Sequence, residues 1–281
     1  MKARILWKAA LLAVGTLAPL RAEDFRVELS PKVPLAEVRL RAGREPLRLC
    51  ESRADERCLV ATPGTEVRCV GDSAGVRCTV EGKSRRFRRA LAFSPSPFQL
   101  QAAPRESHRR AAFRGAVVRG AEIRPVAGGL RAVVTLDLET YVSGVLAGEA
   151  ATLKSPAALA AMAVVARTWA LGARGRHHDR GFDFCSLTHC QFFRLPTEAQ
   201  GGASPPGALA VRQTSGDVLK YRDQLIHAYY SAHCGGATEA ASELWPDRRA
   251  PYLVSIADPY CVRGPQPAWE QSLPLEVVER I

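Results

Sequence analysis

Between residues 25 and 100 the apolar positions fall in short alternating stretches, as at 37–41 and 66–70. Pro63-Gly64 and Gly71-Asp72-Ser73 break them. A period of two puts one face of an extended chain inside, so this part of the molecule predicts an antiparallel β region. Residues 83–89 carry Lys83, Arg85, Arg86, Arg88 and Arg89. That run reads as a solvated turn or edge strand, or alternatively as a polyanion contact. The stretch 94–104, with three prolines, reads as a connector. A second unit is expected to start at Phe113-Arg114-Gly115, with strands at 116–118 and 132–136 and a turn at Gly128-Gly129.

The pattern then changes to helix. Asp137 is suited to cap a helix running through Tyr141 to about residue 146. Ser155-Pro156 opens the strongest helical signal, 157–173, rich in alanine and without a breaker until Gly172. Its residues Ala160, Met162, Val164, Val165, Trp169 and Leu171 leave almost no polar face, which predicts burial at the centre of a domain. Residues 218–221 and 225–230 predict a hairpin about Arg222-Asp223-Gln224. The expected class is α+β: mostly antiparallel strands around a central buried helix, with a cysteine-bearing β subdomain at 23–104 and a core at 113–270. Residues 271–281 read as the start of a C-terminal helix that stops without a cap.

Composition narrows the function. Of 281 residues 47% are hydrophobic and 24% charged, enough apolar content for a packed core. The net charge is +11, and four of the cations (Lys2, Arg4, Lys8, Arg21) lie in the first 22 residues without an acid. With the apolar run 9–20 and the small residue Ala22, residues 1–22 read as an export signal. The run is too short for a comfortable membrane helix, so contact with a membrane is expected only if the signal stays uncleaved. A multi-span membrane protein is excluded. The excess of positive charge favours anionic partners in general, but a nucleic-acid role conflicts with export. The expected location is the periplasm or cell envelope.

Export gives the eight cysteines a meaning. Cys50, Cys58, Cys69 and Cys78 contain no CxxC spacing and no interleaved His, which in an oxidising compartment predicts two disulfides with three pairings open. Cys185, His189 and Cys190 form a Cys-x3-His-Cys group able to ligate zinc, with Cys234, His233, His227 or water completing four ligands. Disulfides Cys185–Cys190 or Cys234–Cys261 are the alternative. Gly235-Gly236 predicts a tight turn where the backbone approaches a sugar or another strand. Tyr229, Tyr230 and Trp245 read either as an aromatic wall for sugar rings or as ordinary packing. Lys154 reads as a solvated charge, and adjacent His189-Cys190 makes a poor protease pair.

One block is more specific. Leu136-Asp137-Leu138-Glu139-Thr140-Tyr141-Val142-Ser143-Gly144-Val145-Leu146-Ala147-Gly148-Glu149 leads into Ala166-Arg167-Thr168-Trp169-Ala170. Cys185-Ser186-Leu187-Thr188-His189-Cys190-Gln191, then Ala210-Val211-Arg212-Gln213-Thr214-Ser215-Gly216-Asp217-Val218-Leu219, then Tyr230 to Cys234-Gly235-Gly236-Ala237-Thr238, follow in order. Pro251-Tyr252-Leu253 and Pro259-Tyr260-Cys261 extend the pattern. Together these resemble the stage II sporulation protein D family, which includes the amidase enhancers, over about 113–270 and more weakly at 25–41.

The resemblance implies an exported lytic transglycosylase that cuts peptidoglycan glycan strands, stripped of their stem peptides, between N-acetylmuramic acid and N-acetylglucosamine. It places the acidic catalyst on Glu149 and sugar contacts on Arg167, Thr188, Gln191, Tyr230, Ser231, Gly235, Gly236 and Thr238. It also implies a second possibility, a non-catalytic wall-binding activator of a cell-wall amidase. This chain departs from the family pattern at Ala150, commonly methionine, and at Ser231, often histidine, with His233 two positions on.

Such a cleavage needs a proton for the leaving oxygen and a trap for an oxocarbenium-like centre. A single carboxyl suffices when the muramyl C6 hydroxyl attacks its own C1. No metal is then required, and zinc in the Cys185 group would be structural. The neighbours of Glu149 (Val145, Leu146, Ala147, Ala150, Ala151, Leu153) bring no cation and no second acid, the setting such a group needs. An exposed glutamate between two helices is the plain alternative. For Arg167 the alternative to a cleft residue that orients the glutamate or a sugar is a structural ion pair with Glu139, since an unpaired guanidinium within a buried helix is costly.

Overall fold

The computed structural model describes residues 13–16, 24–29, 32–72, 74–104, 115–196, 206–247, 249–263 and 272. The signal expected at 1–22 lies outside these residues apart from 13–16, and the helix start expected at 271–281 lies outside them apart from 272. The strands are β1 (Ala13–Thr16), β2 (Phe25–Leu29), β3 (Leu35–Arg41), β4 (Leu47–Cys50), β5 (Leu59–Ala61), β6 (Glu66–Asp72), β7 (Gly75–Val80), β8 (Lys83–Phe87), β9 (Ala90–Pro104), β10 (Ala116–Val126), β11 (Gly129–Leu136), β12 (Phe184–Cys185), β13 (Asp217–Tyr221) and β14 (Gln224–Leu225). The α-helices are α1 (Leu138–Glu149), α2 (Pro156–Gly172), α3 (Pro206–Gln213) and α4 (Ala241–Leu244). The mix is α+β with mostly antiparallel strands. No described helix is long and apolar enough to cross a membrane.

One sheet runs in the order β12-β2-β11-β10-β9-β3-β6-β7-β8, with β4 and β5 attached through β9. It curls enough for β3 to meet β11 as well, at Leu35 and Leu130. The alternating faces at 37–41 and 66–70 pair with each other, Val38 opposite Cys69 and Leu40 opposite Val67, all four buried. Cys69 pairs with Cys78 across β6 and β7, and Cys50 with Cys58, which settles the three open pairings. The arginine run forms edge strand β8 and its end. There Arg85 pairs with Asp55, Arg86 with Asp72 and Arg89 with Glu122.

The stretch 94–104 is not a connector. It belongs to β9, a strand of 15 residues lying between β10 and β3. Its ladder to β10 covers 90–93 and 98–100 and its ladder to β3 covers 99–104. Pro95 and Pro97 therefore fall where neither neighbour pairs, so the missing N–H groups cost nothing. Because β9 joins β10, the boundary expected at 104–113 runs through a single sheet. The chain divides elsewhere, into a unit over 12–228 and a second one containing 229–281.

Helices α1 and α2 start where their caps predict. Asp137 Oδ1 accepts from the Thr140 N–H at 2.9 Å, and Ser155 Oγ from that of Ala158 at 3.4 Å, with Pro156 in the first turn. The longer helix is not buried all round, as its composition suggested. Leu159, Ala163, Ala166, Arg167, Thr168 and Ala170 are buried, while Pro156, Ala157 and Ala161 are exposed. It packs beside α1, α3 and β13 rather than inside a ring of strands, so only one face needs to be apolar. The hairpin β13–β14 turns on Arg222 and Asp223, both at positive φ (48° and 64°), the two-residue turn that suits strand twist.

Candidate functional site

The site grows from an aromatic stack. The Phe25 ring stacks on Tyr141 and on Phe184, both at 5.8 Å between centroids; Tyr141 stacks on Phe184 at 5.1 Å and on Phe193 at 5.5 Å. These rings tie β2, α1, β12 and the segment after Cys190 into one core. Beside them the Tyr141 hydroxyl donates to Gln191 Oε1 at 3.1 Å, and Gln191 is buried. Parallel pairing of β12 with β2 sets Phe184 opposite Val27 and Cys185 opposite Glu28.

Glu149 is the last residue of α1 and is half-buried, not an exposed loop residue. Its Oε1 accepts the main-chain N–H of Phe192 at 2.7 Å. Two glycines permit that approach. A Cβ on Gly148 would collide with the carbonyl of Phe192, and one on Gly144 with the Phe193 ring and the Arg194 carbonyl. Gly144 O also accepts from the Arg194 N–H at 3.1 Å. Residues 192–194 thus lie flat against a helix face cleared of side chains.

The other end of that segment holds a cluster of four ligand atoms. His177, Cys185, His189 and Cys190 bring their donor atoms within 4.8 Å of one another. Cys190 Sγ is 3.5 Å from Cys185 Sγ, 3.3 Å from His177 Nε2 and 3.8 Å from His189 Nδ1; Cys185 Sγ is 3.9 Å from His189 Nδ1. A tetrahedron with Zn–S about 2.3 Å and Zn–N about 2.0–2.1 Å has edges of this size. Burial pushes the Cys190 thiol up to about 12, outweighing the Cys185 N–H that donates to its sulfur and lowers it. Burial and then the charges of His189, Arg180 and Arg176 lower His177, which favours the neutral imidazole that a metal takes.

His177 is the residue that sequence reasoning missed. Cys234, His233 and His227 were the expected candidates to complete the group, whereas the fourth donor of the cluster comes from the short bridge His177–Phe182 just before β12. The only sequence signal was the His177-His178 pair shortly upstream of Cys185.

Arg167 does not face a cleft. It is fully buried, its Nε and NH2 donate to both oxygens of Glu139 at 3.0 and 2.6 Å, and it also donates to the carbonyls of Ala163, Val211 and Asp217. The ion-pair alternative describes it: one side chain fastens α1, α2, α3 and the start of β13. Thr188 is exposed on the turn beside His189.

The second unit carries Tyr230, Ser231, Gly235, Gly236 and Thr238. Tyr230, Ser231 and Thr238 are exposed. Tyr229 packs on Trp245 at 5.1 Å between centroids, both rings remaining exposed. Gly235 and Gly236 take positive φ (72° and 111°), as a tight turn requires, and a Cβ on Gly236 would press on Val262 at 2.8 Å. The close approach is therefore to another segment of the chain. Thr238 accepts from the Ile256 N–H at 2.9 Å.

Residues 126–221, which hold Glu149, Arg167 and the four-ligand cluster, match the family model described as SpoIID, stage II sporulation protein. The chain is 45% identical over 64 residues to an amidase enhancer of Bacillus subtilis (strain 168), a stretch making up 23% of this chain and 8% of that one. It is 30% identical over 147 residues to stage II sporulation protein D of the same organism, 48% of this chain and 43% of the relative. An uncharacterised protein of Brachyspira hyodysenteriae is 32% identical over 139 residues, 49% of this chain and 36% of its own. The chain spans less than half the length of each of these relatives.

Proposed function

We propose, on the premise that the chain belongs to the stage II sporulation protein D and amidase enhancer family, that it is an exported lytic transglycosylase of peptidoglycan. Its substrate is glycan freed of stem peptides, and its product carries a 1,6-anhydro-N-acetylmuramic acid end. The observation that carries this reading is the carboxyl of Glu149, held by the Phe192 N–H at the end of a helix cleared by Gly144 and Gly148.

In this reading Glu149 gives its proton to the glycosidic oxygen as the C1–O bond breaks, and the departing sugar keeps the hydroxyl so formed. The carboxylate then takes the proton of the muramyl C6 hydroxyl while that oxygen closes on C1. Protons balance, and one group serves as acid and then as base. The Phe192 hydrogen bond orients the carboxyl through both steps.

The cluster His177, Cys185, His189 and Cys190 fits zinc by donor set and spacing. We place its role in structure: zinc there would pin the chain at Cys190, two residues before the amide that holds Glu149. The acid–base work needs no metal.

Digestion of amidase-treated glycan followed by mass spectrometry tests the proposal. The wild-type protein should release anhydromuramyl ends, and Glu149→Gln, which keeps shape and polarity but removes the dissociable proton, should lower the rate by at least about 10²-fold while still folding. Equal rates would sink the enzyme reading. A second reading is favoured by the similarity to an amidase enhancer, namely a wall-binding activator of a cell-wall amidase. It predicts faster amidase turnover on addition of the Glu149→Gln protein with no anhydromuramyl product from either form.

A further inference from the structure

The second unit has an unusual energetic problem. Among its described residues Ala241 is the sole buried apolar side chain, while Tyr229, Tyr230, Leu244, Trp245, Val254, Ile256, Tyr260 and Val262 stay exposed. A segment this poor in core needs a covalent or metal cross-link to hold a fixed shape.

The chain offers one. The turn at Gly235-Gly236 feeds a short antiparallel contact in which Ala237 bridges Ala257, the Thr238 N–H donates to Ile256 O at 2.9 Å and the Asp258 N–H donates to Gly236 O at 2.8 Å. That contact brings Cys234 beside Asp258. Asp258 Oδ1 accepts the N–H groups of Tyr260 and Cys261 at 3.0 and 3.3 Å, curling the following turn back so that Cys261 returns to the same point. Cys234 Sγ lies 3.4 Å from Asp258 Oδ2, and the Cys234 N–H donates to Cys261 Sγ at 3.2 Å. Two sulfurs and one carboxylate oxygen converge within 4.8 Å.

We propose that Cys234, Asp258 and Cys261 form a second, structural zinc site, distinct from the four-ligand cluster near Glu149. Two thiolates and a monodentate carboxylate supply three ligands and water supplies the fourth. Binding releases the two thiol protons and involves no oxidation. A simple Cys234–Cys261 disulfide would cross-link the same segments and leave Asp258 Oδ1 to shape the turn, but it gives no role to Oδ2, which lies 3.4 Å from Cys234 Sγ. Its placement is what favours a cation.

The test counts zinc and thiols in full-length protein purified without chelators. In a Cys185→Ser/Cys190→Ser background, which empties the first cluster, about one zinc per chain should remain, and adding Asp258→Asn should remove most of it. Asp258→Asn in the otherwise unchanged protein should likewise lower the zinc content by about one per chain, which covers the case in which the double variant fails to fold. Asparagine leaves both thiols in place and cannot disturb a disulfide. Unchanged zinc after Asp258→Asn, or a Cys234–Cys261 bond found by non-reducing peptide mapping, would overturn the proposal.

Discussion

The main-chain N–H of Phe192 donates to Oε1 of Glu149 at 2.7 Å, two residues beyond Cys190. Short of proline, no side chain at 192 removes that donor, so the bond depends on how closely residues 192–194 lie on α1. That distance is governed by Gly144 and Gly148 on one side and by the cluster around Cys190 on the other.

Gly148→Ala is therefore expected to push the Phe192 carbonyl away and break the bond to Glu149. Overpacking of this kind costs about 1–3 kcal/mol. Release of anhydromuramyl product should fall more than the loss of folded protein explains, whereas Gly172→Ala, where added volume meets nothing within 4 Å, should leave release unchanged. Rate and thermal melting measured on the same samples decide the matter.

His177→Ala should abolish zinc retention by the cluster that includes Cys185, His189 and Cys190. His178→Ala serves as the control, because its ring faces the Gly175 carbonyl instead. Elemental analysis of the two variants separates the roles; equal zinc in both would remove His177 from the ligand set.

Arg167→Met should be among the most damaging single changes in the chain. It strips Glu139 of its bidentate partner and takes the donors from the carbonyls of Val211 and Asp217. Breaking a buried pair from one side typically costs about 3–5 kcal/mol. Urea unfolding should show that loss, and Glu139→Gln, which leaves the fully buried guanidinium without its countercharge, should show a loss of the same order.

Acid should weaken the sheet through Glu122. Burial raises this carboxyl, but the hydrogen bond and charge of Arg124 and the charges of Arg26 and Arg89 outweigh it and hold it below the ordinary range. A lowered folded value means that the stabilisation is complete above the unfolded value, about 4.3, and is lost as pH falls through the folded one. Glu122→Gln should thus melt lower than wild type at neutral pH, and the gap should close in strong acid. A constant gap across the titration would contradict this.

Local chemistry was enough to place several elements from the amino-acid order alone. Asp137 and Ser155 begin helices because a side-chain oxygen two or three residues ahead of free N–H groups satisfies them whatever the surroundings. Alternation around Val38 and Val67 produced strands for a similar reason, and the family motif pointed to Glu149. Three features needed the tertiary structure. The proline-bearing stretch 94–104 is a strand because Pro95 and Pro97 fall in a gap between two ladders and Pro104 stands at the end of one, a property of the neighbours' register. The alanine-rich helix is buried on one face because its packing partners lie on one side. His177 joins Cys185, His189 and Cys190 because parallel pairing of β12 with β2 and the bridge to Phe182 fold the turn at 177–182 back onto the sulfurs. Sequence spacing records which donors exist; only the path of the chain decides which of them meet.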